Sequence, residues 1–185
     1  MQADGLAPAQ VLTGLKTGGY VILMRHASSP SARPDKSGAD PENTHLERQL
    51  DEAGRTSAQA MGEAIRRLKI PIGKVLSSPT YRALETVKLA GFGAAVTAQQ
   101  LGDSGQSMTR DDSGTRDGWL RQRCAEPPAT GTNTLIVTHF PNITEAYPQD
   151  ASQLREGEAL IIHPDGKGSA PVVTRVQISD WPTFP

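Results

Sequence analysis

The stretch Tyr20-Val21-Ile22-Leu23-Met24-Arg25-His26 indicates the fold class of this chain. Five apolar residues follow one another without polar alternation, which predicts a strand buried on both faces of a parallel sheet. A charged pair comes next, and such a pair is costly to bury without partners. Ligands of open α/β sheets bind at the carboxyl ends of the strands. We therefore interpret Arg25 and His26 as residues of a functional site, although a lone histidine there is more often structural.

A second apolar run, residues 134–138, ends in the same way, because His139 follows it directly. The two histidines thus occupy equivalent places after two predicted strands. A metal site is a weak interpretation of this pair, since the neighbouring arginine repels a cation and no HxxxH or HExxH spacing occurs. His45 and His163 lie in a predicted loop and near a turn, and we interpret both as solvated or structural.

The segment Ser77-Ser78-Pro79-Thr80-Tyr81-Arg82 lies between those strands. It predicts a helix with Ser78 as N-cap and Pro79 at the first helical position. The free N–H groups and the positive dipole end of such a helix attract anions. Arg82 would lie about one turn inside this end, where its planar guanidinium can hold a phosphate through two hydrogen bonds. Taken alone, Arg82 is better explained by a surface ion pair. Its combination with Arg25 and the two histidines predicts a phosphate site.

Strands and helices alternate along the remainder of the chain, which predicts an α/β protein with a mainly parallel sheet. We expect a single domain over residues 1–185, in which residues 1–18 form an N-terminal extension or short helix. The other predicted elements are a long loop at 27–49, a helix from Asp51 to about Leu68, strands at 74–76 and 94–97, an irregular segment at 102–118, a helix at 117–124, and an edge hairpin formed by 159–162 and 172–178.

Composition excludes several classes of protein. The net charge of −1 carries no basic block, so no nucleic-acid partner is expected. Cys124 is the single cysteine, which excludes an intrachain disulfide and a cysteine-based metal cluster. No apolar run approaches the ~20 residues that span a bilayer. Residues 1–10 lack the basic start and apolar core of a signal peptide; the sequence fits a cytoplasmic chain and equally a trimmed periplasmic or secreted one.

Several segments resemble the signatures of the histidine phosphatase superfamily, also called phosphoglycerate mutase-like. The matching segments, in the order of the family, are Leu23-Met24-Arg25-His26-Ala27 for the Arg-His-Gly signature, Leu50 with Gly54 and Ser57-Ala58 for the Leu-Thr-x-x-Gly-x-x-Gln-Ala segment, Ser77-Ser78-Pro79-Thr80-Tyr81-Arg82-Ala83-Leu84-Glu85-Thr86 for the Ser-Ser-Pro-x-x-Arg-Ala-x-x-Thr signature, Val137-Thr138-His139 for the third signature, and Gly157-Glu158-Ala159 before the late strand. Any one of them is a weak match, whereas the ordered set is specific.

The resemblance implies a three-layer α/β/α sandwich and a defined set of roles. His26 would attack phosphorus and become a phosphohistidine, while Arg25, Arg82 and His139 would hold the phosphoryl oxygens. Fixed cations around the equatorial oxygens suit phosphoryl transfer, because charge develops there in the transition state. Water would then hydrolyse the intermediate, so the resemblance implies neither a metal nor an organic cofactor.

The proton donor for the leaving group is the open part of the resemblance. The mutase-like branch has a Leu-x-Glu pattern after the third strand, and Leu101-Gly102-Asp103 occupies that place with Asp for Glu. Asp103 is therefore the first candidate acid, with a loop cap as the equal alternative. The acid phosphatase branch uses a His-Asp pair, whereas this chain has Phe140 after His139. Glu145 is the second candidate. Ala27 replaces the usual glycine, a small change.

We expect a phosphomonoesterase that acts on a small-molecule or peptide phosphate ester. A phosphoglycerate-mutase-type phosphoryl transfer is the nearest alternative, although the long insertions of those enzymes are missing. A non-catalytic phosphate-ligand binding or regulatory protein is the alternative from a different class. Steady phosphate release from p-nitrophenyl phosphate without added metal separates the enzyme from the binding protein. The sequence indicates neither the physiological substrate nor the oligomeric state.

Overall fold

The computed structural model describes residues 8–103 and 113–185 of the chain. The elements in chain order are α1 (Pro8–Thr17), β1 (Val21–Arg25), α2 (Glu52–Arg67), β2 (Ile72–Ser77), α3 (Tyr81–Ala90), β3 (Val96–Thr97), α4 (Ser113–Ala125), β4 (Asn133–Thr138), α5 (Phe140–Ala146), β5 (Ala159–Ile162) and β6 (Val172–Val176), with short 3-10 helices at Gln99–Leu101 and Trp181–Thr183.

The described strands form one six-stranded sheet in the order β3-β2-β4-β1-β5-β6. Strands β3, β2, β4 and β1 pair in parallel, whereas β5 and β6 add an antiparallel pair at one side. The mainly parallel sheet and the edge hairpin predicted from the sequence are both confirmed. Strand β4 lies between β2 and β1, so the ends of these three strands meet in the middle of the sheet.

Helices cover both faces of this sheet. Side chains of a strand alternate between the two faces, so a central strand contributes residues to an apolar cluster on each side. Ile22 and Met24 of β1 pack with α1, α2 and α3 in one apolar cluster. Val21 and Leu23 pack with α4 and α5 in the other. The strand is therefore buried on both sides, which explains its continuous apolar sequence. The three-layer α/β/α arrangement implied by the resemblance is confirmed.

The ends of α2 lie where the sequence predicts them, whereas the start of α3 does not. Asp51 caps α2 through its carboxylate, which accepts a hydrogen bond from the Gly54 N–H at 2.7 Å. The prediction that Ser78 caps α3 is wrong, since the helix begins at Tyr81 with Thr80 as N-cap. The Ser78 N–H donates to the Val137 carbonyl at 2.9 Å and prolongs the sheet, so the helix begins later.

The segment predicted to be irregular, residues 102–118, is helical from residue 113 onward, because α4 begins at Ser113. The helix predicted at 117–124 is thus part of a longer one, and residues 104–112 lie outside the described residues. Within residues 8–103 and 113–185, none of the helices combines the length and the apolar composition that a membrane crossing requires.

Candidate active site

Three chain segments meet where the central strands end. Arg25, the last residue of β1, pairs with Thr138, the last residue of β4. The backbone ladder continues one residue further, because the His26 N–H donates to the Thr138 carbonyl at 3.0 Å. On the other side of β4, the Ser78 N–H bonds to Val137 in the same way. The sheet itself therefore brings the three sequence motifs to one edge.

His26 is buried, with 3 % of its surface exposed, and its two ring nitrogens have distinct partners. The Nδ1 atom lies 2.8 Å from the Ala27 carbonyl oxygen, which can only accept a hydrogen bond. Nδ1 therefore carries the proton in the neutral ring, and Nε2 keeps a free electron pair. That pair accepts a hydrogen bond from Arg82 Nε at 3.2 Å.

Burial lowers the pKa of His26 to about 4, because the desolvated site disfavours the imidazolium. The hydrogen bond to the Ala27 carbonyl raises this pKa in part, while the positive charges of Arg82 and Arg25 lower it further. At pH 7 the ring is neutral and Nε2 is basic. A histidine in this state is a nucleophile rather than a cation that binds anions.

Arg82 lies at the centre of the site, with 3 % of its surface exposed. Its Nε bonds to His26, while its Nη2 donates to His139 Nδ1 at 3.1 Å and to Asp103 Oδ2 at 2.6 Å. One planar guanidinium thus joins both histidines and the carboxylate. Burial lowers the pKa of Arg82, and the charge of Asp103 opposes this change. The structure brings together all three of these predicted site residues around Arg82.

His139 faces His26 across the site, with the ring centroids 5.3 Å apart and the ring planes at 64°. Because its Nδ1 accepts from Arg82, its Nε2 carries the proton and donates to Ser78 Oγ at 2.8 Å. Burial is the main reason why the pKa of His139 is lowered, and the Arg82 charge adds to the effect. Both histidines are therefore neutral at pH 7.

Arg25 lies at the same strand edge but has a different set of partners. Its Nη1 donates to the Leu154 carbonyl at 3.1 Å, and its Nη2 forms an ion pair with Glu156 at 3.2 Å. Its guanidinium also lies over the ring of Phe140, 5.6 Å from the centroid. Burial lowers the pKa of Arg25, while Glu156 opposes this. Phe140, which replaces the acidic residue of the other branch, thus packs against a cation of the site.

A fifth basic residue, Arg48, was missed by the sequence reasoning. Its positive charge lowers the pKa of His26, of His139 and of both predicted arginines. The loop 27–49 folds back so that Arg48 donates to the Pro30 carbonyl at 2.7 Å and to the Ser29 carbonyl at 3.0 Å. Its distance from any strand end left no pattern in the sequence that points to the site.

The two candidate acids lie in different places. Asp103 contacts Arg82 directly, and its side chain is 32 % exposed, so solvent reaches the carboxylate. Glu145 lies on α5 and pairs with Arg116 of α4 at 3.1 Å. A third carboxylate, Glu47, accepts from the Tyr81 N–H at the start of α3 at 2.6 Å. Asp103 is the one that hydrogen-bonds to the arginine between the two histidines.

The site is poor in metal ligands. Within the described parts of the chain, 8–103 and 113–185, no three histidine, cysteine, aspartate or glutamate side chains are grouped as a metal site requires. The donors that do meet are two neutral histidines and one carboxylate next to arginine guanidinium groups. Such a set is suited to an oxyanion, since its cations are already provided by the protein.

Fold and site together define a class: an α/β protein with a neutral, buried histidine pair bridged by arginine at the carboxyl edge of its sheet. The family model of the histidine phosphatase superfamily (branch 1) matches residues 21–103. This match includes the first two signatures and Asp103, and it confirms the resemblance predicted from the motifs.

Solved structures extend the likeness beyond the matched residues. The structure of the protein histidine phosphatase SixA complexed with tungstate has a TM-score of 0.63 and 17 % identity, over 87 % of this chain and 98 % of that one. A putative phosphohistidine phosphatase SixA from Nakamurella multipartitia has a TM-score of 0.56 and 20 % identity, over 86 % and 95 %. A mutant phosphoserine phosphatase from Entamoeba histolytica in complex with phosphoserine has a TM-score of 0.53 and 14 % identity, over 86 % and 97 %.

At these identities the likeness shows the fold alone. The alignments cover nearly the whole of each of these solved structures and 86–87 % of this chain. The comparison with curated protein sequences found no match.

Proposed function

We propose that this protein is a phosphomonoesterase that works through a phosphohistidine formed on His26 Nε2. The observation that carries the proposal is the state of His26: the Ala27 carbonyl holds the proton on Nδ1, so the free pair of Nε2 lies beside Arg82. A neutral imidazole with a fixed tautomer, set among cations, is an activated nucleophile next to a binding site for a phosphoryl group.

Binding of the substrate would begin with an exchange of anions on Arg82. The guanidinium donates to Asp103 in the resting site, and a phosphate dianion competes for the same N–H groups. Arg25, His139 and Arg48 complete the set that we assign to the phosphoryl oxygens. No metal ion or organic cofactor is part of the proposed reaction, because these groups already supply the charge that the transition state requires.

The first chemical step forms the bond from His26 Nε2 to phosphorus and breaks the bond from phosphorus to the ester oxygen. The departing oxygen needs a proton, and we assign its delivery to Asp103, which can take up a proton once phosphate has displaced it from Arg82. In the second step water attacks the phosphohistidine and gives its proton back to the Asp103 carboxylate. Inorganic phosphate leaves, and His26 regains its neutral form.

Two neighbours in the comparison support the substrate class without narrowing it. By their names, one acts on protein phosphohistidine and another binds phosphoserine. We accordingly propose a phosphorylated small molecule or peptide as the substrate. The mutase alternative is less favoured because the long insertions of those enzymes are missing from the sequence. The non-catalytic alternative is less favoured because the nucleophile and its cations lie together.

The test is to trap the intermediate. After brief incubation with p-nitrophenyl phosphate and no added metal, we expect a phosphoryl adduct that is labile in acid and stable in base, on a peptide that contains His26. His163→Ala is the matched control, because that histidine is exposed and stacks on Tyr20 at the opposite end of β1. An adduct on serine or aspartate, or steady turnover by His26→Ala, would refute the mechanism.

The assignment of Asp103 has its own test. p-Nitrophenolate leaves without much protonation, whereas an alkoxide does not. Asp103→Asn should therefore slow the hydrolysis of an alkyl phosphate far more than that of p-nitrophenyl phosphate. Small and equal effects on both substrates would remove Asp103 from the mechanism, and Glu145→Gln would then be measured in the same way.

A further inference from the structure

The three residues that precede Asp103 are held by side chains from other parts of the fold. The Leu101 carbonyl accepts from Thr138 Oγ1 at 2.8 Å. Asn142 Nδ2 donates to the carbonyls on either side, to Gln100 at 3.2 Å and to Gly102 at 3.1 Å. Three consecutive carbonyls thus have side-chain donors, from the end of β4 and from α5. Ordinary loops are seldom fixed so densely, since most of their carbonyls face water.

Asn142 of α5 is almost fully buried, with 2 % of its surface exposed. Its Oδ1 is buried and has no hydrogen-bond partner among the described residues. A buried unpaired amide oxygen is costly. The opposite orientation of the amide would set that oxygen against two carbonyls. Asn142 therefore serves as a donor to the backbone before Asp103, and the unpaired oxygen is the cost of that role.

Arg116 of α4 approaches the same carbonyl from the other side. It is 2 % exposed, its Nη1 lies 3.5 Å from the Gly102 oxygen, and its Nη2 pairs with Glu145. The positive charge of Arg116 also acts on the site, because it lowers the pKa of His139. The second candidate acid thus anchors a residue that supports the backbone of the first.

We propose that Thr138, Asn142 and Arg116 are positioning residues, which hold the segment 100–102 so that the Asp103 carboxylate meets Arg82 and the leaving group. This rests on the proposed function, in which Asp103 donates the proton. Thr138 links the two halves of the reaction: its carbonyl accepts from the His26 N–H, and its hydroxyl holds Leu101. Thr138 would therefore fix the position of the nucleophile relative to that of the acid.

The experiment compares Asn142→Asp with Asn133→Asp. Both asparagines donate from Nδ2 to two backbone carbonyls, but Asn133 bonds to Leu15 and Pro71 at the amino end of β4. Each substitution replaces the donor by a carboxylate of the same shape. The readout is kcat/KM for p-nitrophenyl phosphate and for an alkyl phosphate, with the folded fraction measured by thermal unfolding.

We expect Asn142→Asp to lower kcat/KM for the alkyl phosphate by about tenfold or more, and that for p-nitrophenyl phosphate by less than about threefold. The reason is that a displaced acid loses part of the roughly 10²–10⁴-fold that general acid catalysis typically contributes. Asn133→Asp should leave the ratio of the two substrates unchanged. Thr138→Val should show the same selective loss as Asn142→Asp, and Thr138→Ser, which keeps the hydroxyl, should restore the ratio.

The outcomes separate this proposal from the proposed function. Suppose that Asp103→Asn slows the alkyl phosphate selectively, whereas Asn142→Asp and Thr138→Val slow both substrates equally. This result would overturn the positioning role and leave the assignment of Asp103 as the acid unchanged. If Asp103→Asn slows both substrates equally, the assignment of Asp103 as the acid and the positioning role are both overturned. Addition of Asp103→Asn to Asn142→Asp should bring little further loss on the alkyl phosphate, because both changes remove the same step; fully additive losses would contradict the proposal.

Discussion

The two ends of β4 bury polar side chains in opposite ways. At the amino end, Asn133 donates to the Leu15 and Pro71 carbonyls and accepts from the Tyr20 N–H at 3.1 Å, so its amide is fully paired. At the carboxyl end, His139 and the groups around it form hydrogen bonds to one another. There Arg82 and the three side chains that it holds are ionisable, and in the proposed reaction a phosphate anion takes the place of one of them.

This difference distinguishes a buried side chain that only holds the structure together from the proposed active site at the other end of the strand. Asn133 joins three chain segments with neutral groups, and nothing in its surroundings favours a change of partner. Around Arg82, the guanidinium holds a carboxylate and two histidines whose pKa values are lowered. Strongly shifted pKa values in a cluster of this kind are typical of functional sites. The comparison can be tested by changing each end separately.

The largest effect should follow from His26→Ala at the carboxyl end. With the nucleophile absent, no phosphohistidine can form, and turnover should fall to the rate without enzyme. The measurement is release of p-nitrophenol under single- and multiple-turnover conditions, with the folded state checked by circular dichroism. Residual turnover close to that of the unaltered protein would show that His26 is not the nucleophile and that the carboxyl end of β4 is not the active site.

Arg82→Ala should have the next largest effect. Loss of a cation that stabilises developing charge typically costs about a hundredfold or more, and we expect a loss of this order in kcat/KM. Arg67→Ala is the control, because that arginine is exposed and donates to carbonyls near the C-terminus. A loss below about threefold for Arg82→Ala would mean that its bonds to the histidines are only structural.

Asn133→Ala should change stability and leave the chemistry intact. The substitution removes three hydrogen bonds and leaves buried backbone groups unpaired, which costs about 1–3 kcal/mol for each group that finds no new partner. We expect a lower midpoint in chemical denaturation and an unaltered kcat per folded molecule. A large fall in kcat at full folding would mean that the amino end also controls the site.

The histidine pair should make stability depend on pH. The pKa of each ring is lower in the folded protein than in the unfolded chain, so the unfolded chain binds more protons between about 6.5 and the folded value, which is about 4 for His26. Stability is therefore retained above pH 6.5 and lost as the pH falls through this window. Two protons correspond to a slope of at most about 2.7 kcal/mol per pH unit.

Urea unfolding at several pH values between 5 and 6.5 measures this slope. A variant with His26→Gln and His139→Asn should show a flatter dependence in that range, since it lacks both titrating rings. An equal slope in the variant would assign the effect to other groups.

The smallest expected effect is that of chelation. The proposed reaction uses no metal ion, so EDTA should leave kcat/KM unchanged. Loss of activity on chelation that zinc or magnesium restores would show that the site at the carboxyl end requires a metal after all.

The parts of this structure that the sequence predicts well are those with strict local patterns. Continuous apolar runs predict β1 and β4, and because these strands are parallel neighbours the residues after them meet. Asp51 and the spacing behind it predict α2 almost to the residue. Arg82, His26 and His139 follow from the motifs, and the structure brings both histidines within hydrogen-bonding distance of Arg82.

The parts that the sequence did not predict depend on contacts between distant segments. Ser78 has the composition of an N-cap, but its N–H bonds to β4 and its hydroxyl oxygen to His139, so α3 begins later. The charge of Arg48 acts on the site because a long loop folds back on itself, which no local pattern encodes. Asn142 and Arg116 donate hydrogen bonds to backbone carbonyls of the segment 100–102. A hydrogen bond to a backbone oxygen requires no particular residue there, so spacing and composition do not predict it.

The carboxylate that Arg82 already holds has a consequence for the lifetime of bound product. In the proposed reaction, the phosphoryl group displaces the Asp103 carboxylate from Arg82. Once inorganic phosphate has formed and Asp103 has released its proton to water, the carboxylate is tethered beside the product and competes for the same N–H groups. A tethered competitor acts at a high local concentration whatever the composition of the solution. We therefore expect the proposed site to bind inorganic phosphate more weakly than its cations alone would, and to release it faster.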